Sequence, residues 1–96
     1  MIKVTVKKDN IKITGHAMYD EYGKDIVCAA VSSIVITTVN GIMKLDDSLI
    51  NTDDTNGKVE IKILKHTKEC DILINNMLDL LDELKEQYKN NIKIIK

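Results

Sequence analysis

The sequence predicts an α+β fold, a two-layer sandwich in the order ββαββα with room for a short terminal strand. Two helices would cover one face of a mostly antiparallel sheet. Three observations carry this. Apolar and polar residues alternate in two separate pairs of short segments. Between those pairs, residues 26–44 form a segment too long for one strand and without a turn signal. A leucine-rich amphipathic segment then follows the second pair.

The first pair opens the chain. Ile2, Val4 and Val6 alternate with Lys3, Thr5 and Lys7, and Ile11 and Ile13 alternate with Lys12 and Thr14. Asp9-Asn10 between them is turn chemistry, so a hairpin is expected. From Ala17 to Lys24 the alternation stops, and Met18, Tyr19, Asp20, Glu21, Tyr22 and Gly23 read as a loop. Asp25 is a good N-cap for a helix from Ile26 to Met43 or Lys44. Its buried stripe is expected at Val27, Val31, Ile34, Thr38 and Ile42. Ser33, Thr37 and Gly41 form a row of small residues that would admit another backbone. The many β-branched residues and Gly41 argue against a helix, but the segment's length outweighs them.

Leu49 to Thr52 and Val59 to Leu64 predict a second hairpin across Asp54-Thr55-Asn56-Gly57, where Asn-Gly is a strong signal for a tight turn. Thr67 can cap a last helix that runs to about Tyr88. Its Leu73, Ile74, Met77, Leu78, Leu80, Leu81 and Leu84 make an apolar face too wide for one contact. Such a face packs on the first helix as well as the sheet, or it forms a dimer. Residues 92–95 are the candidate terminal strand.

Length and composition bound the function. Ninety-six residues suit a single domain, 1–96. With no Pro, Trp or Phe, aliphatic side chains must fill the core. A net charge of −1 argues against wholesale electrostatic binding of nucleic acid, and none is expected directly. No apolar run approaches the roughly 20 residues that span a bilayer. The alternating N-terminus lacks a signal-peptide core, so the expectation is a cytoplasmic protein with reduced thiols and no membrane partner.

Two Cys–His pairs compete for chemistry. Counting from Asp25 as cap, Cys28 stands at the third helical position; counting from Thr67, so does Cys70, with His66 four residues before it. A helix N-terminus favours a thiolate. Moving a thiol from a pKa of about 8.5 to about 7 requires roughly 2 kcal/mol, whereas the dipole supplies about 0.3–1 kcal/mol. An imidazolium about 4 Å away attracts a thiolate by about 4 kcal/mol at an effective dielectric of 20, before desolvation is counted. His16 is the natural partner for Cys28. The small Ala29 and Ala30 after Cys28 would let a peptide approach, whereas Cys70 runs straight into the leucine-rich face and reads as a buried hydrophobe. Strict alternation would point His16 away from the helices. Gly15 is expected to permit a bulge or bend that re-aims it.

The run Gly15-His16-Ala17, a loop, then Gly23-x-Asp25-Ile26-Val27-Cys28-Ala29-Ala30-Val31-Ser32 closely resembles the signature of the ribosomal-processing cysteine proteases, the Prp family. The resemblance implies a homodimeric cysteine endopeptidase that uses no cofactor, with Cys28 as nucleophile and His16 as general base. It also implies a substrate, the N-terminal extension of a large-subunit ribosomal protein. Asp25 and Ser32 match the signature and would support the site, and Met18, Tyr19, Tyr22 and Gly23 would belong to a loop over the substrate.

Three rivals remain at this level. His16, Cys28, His66 and Cys70 are potential zinc ligands, although the first two lack the usual short spacing and no metal site is expected. A non-catalytic ribosome-associated or RNA-binding module could use Lys3, Lys7, Lys8 and Lys12, yet no aromatic platform accompanies them. A redox-sensing thiol is the third.

Overall fold

The computed structural model describes residues 1–15, 26–55 and 57–96. Five strands and two helices follow one another as β1 (Ile2–Lys7), β2 (Asn10–Thr14), α1 (Ile26–Leu45), β3 (Ile50–Thr55), β4 (Lys58–Ile63), α2 (Lys68–Gln87) and β5 (Ile92–Ile95). The sheet order is β3-β4-β2-β1-β5, antiparallel except where β5 joins β1 in parallel. The expected α+β architecture is therefore present, and the terminal strand with it.

Period-2 alternation sorts the sheet into two unlike faces. Val4 pairs with Ile13, and Ile11 pairs with both Val6 and Ile61, so one face is aliphatic across the central strands. Val27, Val31, Val35 and Ile42 of α1 and Ile74, Met77 and Leu81 of α2 close over it, forming one buried cluster with Ile2, Val4, Ile11, Ile13, Ile61 and Ile92. Most of the wide apolar face of α2 is thus used on two sides, against α1 and against the sheet, while Leu80 stays exposed. A dimer is not needed to explain it.

Some sequence expectations shift. In α1, Val35 takes a core position, while Ile34 and Thr38 are half-buried. The Thr38 hydroxyl turns inward along the helix and donates to the Ile34 carbonyl oxygen at 2.8 Å. β3 reaches Thr55, which pairs with Lys58. Gly57, just before β4, sits at φ 73°, the left-handed value a tight turn demands. Asp46 organises the passage from α1 to β3 by accepting from the Ser48 N–H and hydroxyl, and these bonds hold its carboxyl below the usual carboxylate range.

The absence of a bilayer-length apolar stretch needs correction. By length and composition, α1 is apolar enough to cross a membrane, because Ser, Thr, Asn and Gly interrupt the run without adding charge. Its most apolar side is the side packed on the sheet. The opposite side nonetheless exposes Ile26 and Ile36, with Met43 beside them and Leu45 exposed at the helix end, alongside the small-residue row Ser33, Thr37 and Gly41.

Gly15 closes β2 at φ 84°, and a Cβ there would collide with the carbonyl oxygen of Met1. Gly15→Ala is expected to destabilise the fold by about 1–3 kcal/mol through the left-handed backbone and the collision together. Gly41→Ala, which meets open space within a helix, should instead stabilise by up to about 1 kcal/mol. Urea unfolding of the two variants measures both signs.

Candidate active site

The site is built at the start of α1. Cys28 is the third residue of that helix, at its described N-terminal end. It is 9% exposed and belongs to the margin of the core. Ser32 follows one turn later on the same side of the helix and is half-buried. Ala29 is exposed and Ala30 half-buried, so the outer surface next to Cys28 is low.

The positions of His16, Met18, Tyr19, Tyr22, Gly23 and Asp25 lie outside the described residues. What is described is the approach to them. Regular strand ends at Thr14, and the positive φ of Gly15 departs from extended backbone. The re-aiming of His16 that the sequence requires falls outside the described residues. The bend expected at Gly15 is there.

The rival thiol is placed differently. Thr67 caps α2, its hydroxyl accepting from the Cys70 N–H at 3.1 Å. Cys70 is 0% exposed, and burial, followed by the nearby Asp71 charge, pushes its thiol pKa up. A sealed thiol with a raised pKa is a poor nucleophile. Its neighbour in sequence, His66, does not serve it. The His66 ring meets Asp9 through Nε2 at 2.6 Å and Asp71 through Nδ1 at 2.8 Å. Both ring nitrogens are therefore committed to carboxylates. Among the described residues, no group of three or more His, Cys, Asp or Glu side chains is arranged to hold a metal ion.

Sequence reasoning missed the Asp9–His66–Asp71 cluster. Asp9 and His66 stand 57 residues apart, and no local pattern joins them. The cluster ties the β1–β2 turn to the start of α2. Asp9 first and Asp71 second hold the His66 pKa above its ordinary value of 6.5. This protonation stabilises the fold fully below the unfolded-state value of 6.5, and the contribution is lost as pH rises through the folded-state value. Ring NMR should place the His66 midpoint above 6.5 in the wild type and nearer to it in Asp9→Asn. The same substitution should flatten the loss of urea resistance between mildly acidic and mildly alkaline pH.

Comparison with known proteins bears on the whole chain. The family profile described as cysteine protease Prp matches residues 1–93. The ribosomal processing cysteine protease Prp of Staphylococcus aureus strain Mu50 is 34% identical over 91 residues, covering 92% of this chain and 86% of the relative. A crystal structure of the S. aureus essential ribosomal processing protease Prp in complex with a substrate peptide superposes with a TM-score of 0.76 at 31% identity, covering 97% of this chain and 94% of that one. The same protease with a covalently linked product peptide gives a TM-score of 0.77 at 32% identity, covering 98% and 95%.

Proposed function

The chain belongs to the cysteine protease Prp family and is a cysteine protease, and from that premise we propose that it removes the N-terminal extension of a large-subunit ribosomal protein in the cytoplasm. The observation that carries the reading is the family match along 1–93, with Cys28 in the first turn of α1. The peptides held by the S. aureus protease, one of them covalently linked, support a peptide substrate and a covalent route.

In the proposed reaction His16 takes the proton of the Cys28 thiol, and Sγ attacks the scissile carbonyl carbon. Charge that develops on the carbonyl oxygen is met by backbone N–H groups at the start of α1. His16 then protonates the departing amine as the C–N bond breaks, leaving a thioester on Cys28. Water activated by His16 hydrolyses that thioester and frees the thiol. The low exposure of Cys28 makes a cationic partner necessary, because a desolvated thiolate without one is costly. Ser32 supports the site from one turn away. Asp25 would cap α1, and Met18, Tyr19, Tyr22 and Gly23 would line the way in.

The quaternary proposal is a homodimer through the outer side of α1. There Ile26 is 63% and Ile36 57% exposed, beside the small Ser33 and Gly41. A second helix can approach such a surface closely, and covering it removes large apolar side chains from water.

Incubation with the extended ribosomal protein, followed by intact mass, should show one defined truncation by the wild type. Cys28→Ala and His16→Ala are expected to lose at least about three orders of magnitude in rate, as removal of a nucleophile or its base does, whereas Cys70→Ala should still cleave. Cleavage that survives in Cys28→Ala would refute the assignment. Sedimentation at micromolar concentration should give a dimer for the wild type and a monomer for Ile36→Asp, and a monomeric wild type would refute the α1 interface.

A further inference from the structure

The helix-free face of the sheet is chemically the opposite of the covered one. The register aligns it in three rows across the strands. The first reads Thr55, Lys58, Thr14, Lys3, Lys93; the second Asp53, Glu60, Lys12, Thr5, Ile95; the third Asn51, Lys62, Asn10, Lys7. The first and third rows contain no carboxylate. Lys3 and Lys7 on β1 and Lys58 and Lys62 on β4 stand at the corners of a rectangle, with β2 running between. Strands lie about 4.8 Å apart and rise about 3.3 Å per residue, so its sides are roughly 10 and 13 Å. Lys12 lies near its centre.

This arrangement is costly for the fold alone. Lys3 lies opposite Lys93 on the neighbouring strand, a like-charge pair that weakens a sheet. Glu60 is the main internal relief. It accepts from the Asn10 side-chain amide at 2.6 Å, and that bond, followed by the fields of Lys12, Lys62 and Lys58, holds its carboxyl below the usual range. The chain's net charge of −1 conceals this segregation. The open face holds six lysines, Lys3, Lys7, Lys12, Lys58, Lys62 and Lys93, against two acids, Asp53 and Glu60. Positions that break a local rule without a structural gain point to a partner.

We propose that this open face is a docking surface for double-stranded RNA, with Lys3, Lys7, Lys12, Lys58 and Lys62 meeting its phosphates. The charge is complementary to a polyanion. Among the described residues the face has no aromatic or arginine side chain on which a base could stack, so its contacts are with the backbone. A duplex presents phosphates and hides its bases, and the wide shallow groove of A-form RNA suits a flat sheet. Thr14 and Asn10, between the lysine rows, offer hydrogen bonds to phosphate or ribose hydroxyls. The choice of RNA over other polyanions rests on the ribosomal-processing reading, which would place the substrate protein on a ribosomal particle.

Fluorescence anisotropy with an RNA duplex of about 16 base pairs tests the proposal. Duplex DNA of the same sequence, polyglutamate and anionic phosphatidylserine vesicles serve as competitors. Binding of the wild type should weaken by about 500-fold between about 50 and 200 mM salt, the slope for about five phosphates. The variant carrying Lys3→Gln, Lys7→Gln, Lys58→Gln and Lys62→Gln should bind at least about tenfold more weakly, with the slope reduced by about one for each lysine removed. Lys44→Gln with Lys89→Gln should bind as the wild type does, and circular dichroism reports that both variants are folded. No binding, an unchanged slope in the fourfold variant, or preference for DNA, polyglutamate or vesicles would overturn it. Cleavage of a free peptide by the wild type, assayed without RNA, reports on the protease reading separately.

Discussion

Covering the aliphatic face of the sheet is the constraint on which the other features depend. Ile2, Val4, Ile11, Ile13 and Ile61 alternate with polar residues, and none of them is more than 3% exposed. With no Phe or Trp to fill space, the layer above must consist of many short aliphatic contacts. That requires two helices lying side by side. α1 can begin only after the chain leaves β2, and leaving it takes a backbone turn that Gly15 makes at positive φ. The first turn of α1, and Cys28 with it, is therefore set at the rim of the core, where one side of a thiol can be buried and the other approached.

The two cysteines show how one local motif acquires two fates. Each stands three residues into a helix, so the dipole does not separate them. Packing does. α2 drives Cys70 beneath the sheet layer, where loss of water disfavours a thiolate. The histidine that precedes it is drawn off by Asp9 and Asp71. α1 leaves Cys28 at the core margin with alanines outside it. Reactivity follows from the surroundings of the helix end rather than from the end itself.

Strands, helix spans, the Thr67 cap and the tight turn at Gly57 were legible in the sequence, because each depends on neighbours within a few residues. The Cys28 neighbourhood was legible as a motif. Three features were not. The rotation of α1 that buries Val35 and leaves Thr38 half-buried depends on how two helices share one sheet face. The Asp9–His66 contact joins segments that meet only when β4 returns beside β2. The lysine rectangle requires the order β3-β4-β2-β1-β5, which brings Lys58 and Lys62 within two strands of Lys3 and Lys7. Net charge averaged over the chain could not reveal it.

The central claim is that the thiol at the start of α1 reacts with peptide carbonyls while the other does not. A peptide spanning the cleavage site and ending in an electrophilic ketone tests this directly, with the site of modification read by peptide mass mapping. The account requires one adduct per chain, on Cys28, whose formation is slowed in His16→Ala. An adduct on Cys70, or none on a protein that still cleaves its substrate, would contradict it.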